Sequence, residues 1–424
     1  MTNTDRRAAG AIIVGTLCTV LALAQAGPSS KGLLRTAPTE TLTVNPGFRD
    51  WGPTTIAGTT ILAGNSTNKG GLFAVDTLTG KLKWTSRPAA LRYGLSVSTA
   101  PAVSGDVVVT PMGNTLVAVS LATGKEMWRG PQAAQSASVV ASFGLAYVLG
   151  DDNTLYALDA ITGKEKWKRA FARFVGCESR PVVRDGIVYV SGTVLLKPAD
   201  AIMSATYYGH LFALDANTGE ERWRYPSTPV GITGGLCFTQ PVVTADTFFA
   251  IVSTNLYALD VANGRERWGG PLEVRRSVEG RVRGVNVEGL VDAGSVLVGL
   301  TPGYLIAFDK ASGKTAWEIQ GQYSPSRPST AVAGRVLYFQ GHPGAEPAAA
   351  VQGSIVYQGG RPIVSAPVLP GGRLNALDLD TRAILWSFSR PTAEANWPFG
   401  YVTPVEGGLW VDSYQALVKL ETRK

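Results

Sequence analysis

Apolar side chains along this chain come in short runs, each broken by a turn signal, and the runs recur from near residue 50 to the end. The stretch Leu155-Tyr-Ala-Leu-Asp159-Ala-Ile-Thr-Gly163-Lys-Glu-Lys-Trp167 shows the unit. Leu155, Ala157 and Asp159 alternate with Tyr156 and Leu158, a period of two with both faces partly apolar. That pattern predicts a strand packed between other sheets. Asp159 and Thr162 suit the free backbone amides of the turn that follows, and Gly163 supplies a positive φ. A second strand then runs to Trp167, so the unit is a β-hairpin with a fixed loop. Upstream lie further strand pairs with Gly-Asp or Asp-Gly turns, as in residues 101–109 and 181–190.

The hairpin phrase occurs seven times, at 74–84, 118–128, 157–167, 213–223, 258–268, 307–317 and 376–386. Each copy runs from Ala through Asp or Ser, then Thr, Asn or Ser, then Gly or Arg, to Trp. The closing residues are Trp84, Trp128, Trp167, Trp223, Trp268, Trp317 and Trp386. Self-similarity at this period marks a repeat architecture. Two hairpins make a four-stranded antiparallel sheet, and such sheets repeated about an axis make a β-propeller. The tryptophans are the expected docking motif, each laying its apolar face on the adjacent repeat. An eighth repeat starts at Tyr401 and stops at Glu421, before any Trp strand. Its missing outer strand is expected from residues 40–44, which would close the ring and remove free edges. The expected fold is all-β: an eight-bladed propeller of four-stranded antiparallel blades, with seven blades as the fallback.

Long gaps between tryptophans locate two insertions, 192–209 and 341–372, the second with a strand-like piece at 354–358. Both fall between second and third strands, so both are expected on one face of the ring, where loops of such length are usually functional. Residues 1–26 read as a signal peptide: Arg6 and Arg7, an apolar stretch over 11–24, and Ala24-Gln25-Ala26 as the cleavage site. The rival is an uncleaved N-terminal anchor. Residues 27–38 read as a linker and 39–424 as the propeller. Export places Cys177 and Cys237, at matching positions of consecutive repeats, in an oxidising compartment where they either bridge or stay as buried thiols. Net charge is +7. The one basic cluster, Arg275, Arg276, Arg281 and Arg283, suits an anionic partner or is a solvated loop. Nothing points to nucleic acid.

No catalytic signature emerges. His210 and His342 lack companions at metal-ligand spacing. The row Asp76, Asp159, Asp215, Asp260, Asp309 and Asp378 falls in separate turns and reads as structural. The best candidate for ligand binding is the axial mouth, where innermost strands begin. Glu178 and Arg180 precede Pro181, Gln240 precedes Pro241, and Arg327 precedes Pro328. Arg180, Gln240 and Arg327 share one register, and a convergent ring of them would suit a carboxylate. The plain alternative is hydrogen bonding between blades around a wet channel.

The phrase Leu-Tyr-Ala-Leu-Asp-x-x-Thr-Gly-x-x-x-Trp resembles the repeat of the PQQ-like (quinoprotein-type) propellers, over roughly residues 50–421. The resemblance implies two branches. One is non-catalytic and includes the propeller subunit of the outer-membrane β-barrel assembly machine. On that branch the chain is an exported protein-binding or assembly scaffold in the cell envelope, peripheral to the membrane at most, with an envelope protein as partner and no cofactor expected. The other branch implies PQQ and Ca²⁺ on the axis and oxidation of alcohols or sugars. A ligand sensor without turnover is a third possibility. The alcohol dehydrogenases of the family use adjacent cysteines, and no two are adjacent here, so the scaffold is the leading expectation.

Overall fold

The computed structural model describes residues 33–44, 54–64, 71–88, 99–113, 115–132, 138–150, 152–171, 181–197, 206–226, 239–252, 254–278, 281–285, 287–301, 303–323, 330–343, 355–358, 361–364, 373–389, 401–412 and 416–422. Eight antiparallel sheets follow one another in a ring. Their inner strands, which define blades 1 to 8, are Thr55–Ala57, Ala102–Ser104, Ser138–Ser142, Val182–Arg184, Thr239–Val243, Glu288–Ala293, Ala331–Ala333 and Val402–Val405. Neighbouring inner strands touch in that order, and the Thr54 and Thr403 hydroxyls, 2.6 Å apart, join blade 1 to blade 8. The count is eight, and the seven-blade fallback is set aside. As expected, the last blade takes its outer strand from the start of the chain: Pro38–Val44 pairs with Leu417–Thr422.

Each interface between blades has its own buried apolar cluster. Val107 and Val109 pack toward blade 3, while Val108 and Met112 on the same strand pack toward blade 1. Middle strands are therefore covered on both faces, which is why their sequences read as unbroken apolar runs. The hairpin phrase welds these interfaces. Ala and Trp of one copy lie opposite each other, as in Ala74↔Trp84 and Ala157↔Trp167, with a one-residue bulge just beyond. The indole then reaches the next blade. Trp84, Trp128, Trp167 and Trp223 donate to the carbonyls of Leu121, Ala160, Ala216 and Val261 at 2.8–3.0 Å. Each ring also lies on the next blade's turn glycine. A Cβ at Gly163 (φ 70°) would stand 2.7 Å from Trp128, and one at Gly219 (φ 73°) 2.6 Å from Trp167.

Closure uses different side chains. In blade 8, Lys419 and Leu42 occupy the Ala and Trp positions. Leu42, in place of an indole, packs on Gly80 of blade 1, and the buried Lys419 ammonium pairs with Glu421 at 2.8 Å. Leu33 and Leu34, in the segment expected as linker, pack into the core, while residues 35–37 stay exposed. Leu34 is buried between blades 7 and 8, and its carbonyl accepts the Trp386 N–H at 2.7 Å.

Three local expectations are corrected. The outer strand of blade 5 does not run through Trp268. Gly269 (φ 76°) and Gly270 (φ 149°) divert the chain, and pairing resumes at Leu272–Glu273. The 192–209 insertion is mostly ladder, with Ile187–Lys197 and Thr206–Asp215 paired out to Lys197 and Thr206. Its Thr, Val and Leu residues keep strand propensity as the chain leaves the blade. The four arginines sit on a hairpin, Arg275–Val278 against Arg281–Gly284. Arg276 there bridges to Glu318 of blade 6 at 2.7 Å, because the hairpin leans on that blade's outer strand.

The motif aspartates are turn locks. Asp76 accepts from the Thr79 amide and hydroxyl, both at 2.9 Å, and these bonds lower its pKa to about 2. Asp159 and Asp378 are lowered first by the Thr162 and Thr381 amides, Asp215 by Arg222, and Asp309 by the Ser312 hydroxyl. Unfolded carboxylates titrate near ~4. Folded values below that add stability that is complete above pH ~4 and lost as pH falls through the folded values. The urea midpoint is therefore expected to hold from neutral pH to about pH 5 and then drop. Asp76→Asn is expected to make that drop shallower. An unchanged acid profile would remove the turn carboxylates as its cause.

Candidate functional site

An antiparallel meander sets its alternate connections at opposite ends. The first-to-second and third-to-fourth turns thus share one face of the ring, the turn face, and the second-to-third and blade-to-blade connections share the other, the insertion face. Both insertions join second to third strands and leave from the insertion face, as expected. The longer one is pinned at its start. His342–Pro343 adds a fifth strand to blade 6, opposite Gly321 and Gln322. Asn375, fully buried, donates to the Gly341 carbonyl at 2.8 Å and accepts from Ser387 at 2.7 Å, holding the corner where the chain departs. Further along, Ile355–Gln358 pairs with Arg361–Val364, so the single strand-like piece seen in the sequence is half of a hairpin.

The shorter insertion has a charged root. Glu221 accepts from Arg224 at 2.6 and 2.8 Å and from Arg169 of blade 3. Burial works to raise the Glu221 pKa, and the two guanidinium groups bring it below the ordinary value. Both guanidinium groups also lie over Phe212, at 5.1 and 5.2 Å. His210 is buried beside Phe212, with Nδ1 2.9 Å from the Pro226 carbonyl oxygen, and burial lowers its pKa. This cluster ties blades 3 and 4 together and needs no ligand to be satisfied.

Of the axial-mouth residues, Glu178, Arg180 and Arg327 lie outside the described residues, as do Cys177 and Cys237. Gln240 lies within Thr239–Val243, one residue before Pro241. The described basic side chain at the inner strands is Arg184, which sequence reading passed over because it stands in an ordinary Arg-Asp-Gly turn. Its Nη1 donates to the Val243 carbonyl of blade 5 at 2.8 Å. Likewise the Thr55 hydroxyl donates to the Pro101 carbonyl of blade 2 at 2.6 Å. Among the described residues no three His, Cys, Asp or Glu side chains gather to hold a metal. Among the described residues no helix is long and apolar enough to cross a membrane, and the expected signal peptide lies outside them.

Residues 50–143 and 134–349 match the family model described as outer membrane protein assembly factor BamB. The crystal structure of BamB from Moraxella catarrhalis is similar in fold, with a TM-score of 0.60 at 16% identity over 91% of this chain and 100% of that one. The computationally designed protein Ika8 gives 0.61 at 13% identity, over 91% and 99% of the two chains. A europium-containing methanol dehydrogenase gives 0.58 at 13% identity, over 90% and 85%. No curated protein matches by sequence. Repeat, ring and closure together define an eight-bladed PQQ-like propeller. Within that class the family match covers well over half of the chain, and the protein belongs to the BamB family.

Proposed function

We propose that this protein is an exported, non-catalytic scaffold that holds a protein partner in the cell envelope. The family match over residues 50–349 carries the reading. The pinned insertion of blade 7 supports it, since a loop rooted by Asn375 and by strand pairing to blade 6 presents its tip from a fixed base. The role calls for no cofactor.

The test is capture from the native envelope after in-cell crosslinking, comparing the intact protein with a variant lacking residues 343–370. Recovery of a defined envelope protein with the intact chain, and several-fold less with the deletion, is expected. Equal recovery would remove the insertion from the function. The mass of the purified native protein is expected to start at Gly27. Titration with PQQ and Ca²⁺, followed by dye reduction with alcohols and sugars, addresses the alternatives. Binding with turnover would make the protein a quinoprotein dehydrogenase, and binding without turnover a sensor.

A further inference from the structure

The turn face of blades 1 to 3 differs from the rest of the ring. Seven large apolar side chains are exposed among the described residues, and five of them lie here: Leu78, Leu82, Met127, Phe143 and Ile161. Hydrogen bonds string their turns together. Trp84, near Leu82, donates to the Leu121 carbonyl of blade 2 at 2.8 Å. Trp128, next to Met127, donates to the Ala160 carbonyl of blade 3 at 3.0 Å. Ala160, next to Ile161, donates its own N–H to the Gly144 carbonyl, beside Phe143, at 2.9 Å. The turns that carry these apolar side chains therefore follow one another along an arc of the ring.

The repeat itself does not ask for them. At the turn tip, blades 1 and 3 carry Leu78 and Ile161, 67% and 65% exposed, where blades 2, 4, 5, 6 and 7 carry Ala122, Asn217, Ala262, Ala311 and Asp380. At the bulge before Trp, blades 1, 3, 4 and 5 carry Lys83, Lys166, Arg222 and Arg267, which pair with their own turn Asp. Blade 2 carries Met127 instead. Phe143 is the sharpest case. It is half exposed, yet its φ is 53°, and with Gly144 (φ 74°) it forms a two-residue turn between Ser142 and Leu145. Blade 4 places Asp185 (φ 49°) at the same point. Asp and Asn suit that conformation, whereas an aromatic side chain there is strained. Backbone strain spent on an exposed aromatic is a mark of a binding surface.

Charge indicates the partner. Lys81, Lys125 and Lys164 follow the turn glycine in these three blades, as Arg265 and Lys314 do in blades 5 and 6; all are exposed, no carboxylate pairs with them among the described residues, and only in blades 1 to 3 do they stand beside the exposed apolar side chains. The other neighbouring charges pair off, Lys83 with Asp76, Arg129 with Glu126, Lys166 with Asp159, and Lys168 with Glu165, apart from the exposed carboxylate of Asp106, so the three lysines leave the arc net positive. We propose that the turn face of blades 1 to 3 docks an acidic amphipathic segment of a partner protein. Its apolar side chains sit on Phe143, Ile161 and Leu78, and its carboxylates meet Lys81, Lys125 and Lys164. A bilayer suits the arc less well. Recognition of anionic lipid takes a cluster of about four to eight basic residues, and here one free lysine stands on each blade. This surface lies opposite the insertions and goes beyond the scaffold reading.

The test uses purified residues 27–424 and a short fluorescein-labelled peptide in which Leu and Phe alternate with Asp and Glu. Its controls are the same peptide with Lys in place of the acids, and vesicles of phosphatidylcholine with phosphatidylglycerol. The acidic peptide is expected to bind saturably and to weaken with salt, with neither control binding. Phe143→Asn is expected to weaken it roughly tenfold or more while raising the thermal midpoint, because Asn relieves the strained turn. Unfolding therefore cannot account for the loss. Joint K81E, K125E and K164E substitution is expected to switch preference to the basic peptide. The variant lacking residues 343–370 is expected to bind the acidic peptide like the intact protein, which separates this surface from the insertion. Equal binding of both peptides, no binding of either, binding indifferent to Phe143→Asn, or binding to vesicles alone would each overturn the proposal.

Discussion

Cutting the chain back to Asn45 is expected to open the ring, whereas cutting it back to Gly27 leaves it closed. The difference lies in residues 33–44. Pro38–Val44 is the outer strand of blade 8, and without it the edge of Leu417–Thr422 is bare. Leu34, 1% exposed, fills the space between Val336, Tyr338 and Trp386. Its carbonyl is the acceptor for Trp386, and Arg35 pairs with Asp378 in the blade 7 turn. Leu42 is the cover over Gly80 at the blade 8 to blade 1 junction. Even Leu34→Ala is expected to cost about 2–5 kcal/mol by leaving a cavity against an indole. Loss of the whole segment removes that contact, a strand and the junction at once. The shortened chain is expected to aggregate or to melt tens of degrees lower, read by light scattering and thermal unfolding. A synthetic peptide of residues 33–44 is expected to restore part of the midpoint. A shortened chain that melts like the intact one would show that blades 1 and 8 close without the N-terminal strand.

Gly219→Ala is expected to be strongly damaging for a single added methyl, and Gly105→Ala is its control. Both glycines have positive φ, 73° and 56°. That conformation alone costs an alanine about 1–2 kcal/mol. Around Gly105 nothing lies within 4 Å of the added Cβ, so the cost is expected to stop there. At Gly219 the Cβ would stand 2.6 Å from Cε3 of Trp167, whose N–H is held by the Ala216 carbonyl at 3.0 Å. The indole cannot retreat without losing that bond, and overpacking adds about 1–3 kcal/mol. A total of about 2–5 kcal/mol is expected in urea unfolding. Trp167→Leu in the Gly219→Ala background is expected to be less damaging than the two single costs summed, because the clash partner is gone. Equal losses at Gly219 and Gly105 would mean that the indole does not rest on the turn.

The two experiments separate what is local from what is not. The phrase from Ala to Trp carries its own hydrogen-bond register. Asp76 with Thr79, Gly163 at φ 70° and Ala157 opposite Trp167 were all legible, because each involves residues close in sequence. Where a local signal broke, as at Gly269 and Gly270 in blade 5, the repeat pattern overrode it and the expectation missed the diverted strand. The candidate site was less legible. Arg180, Glu178 and Arg327 lie outside the described residues, while Arg184, Asn375 and Phe143 matter through neighbours that the repeat does not specify.

By itself the sequence determined the repeat, the eight blades, the turn chemistry and the origin of the closing strand. These follow from periodicity and from residues that satisfy backbone groups nearby in the chain. Only the tertiary structure decided that Leu42 replaces a tryptophan over Gly80, that Leu34 is the last indole's acceptor, and that exposed apolar side chains gather beside unpaired lysines on the turn face of blades 1 to 3. The reason is physical. A side chain's value in a ring depends on which blade is set beside it, and closure brings together residues that no local pattern relates.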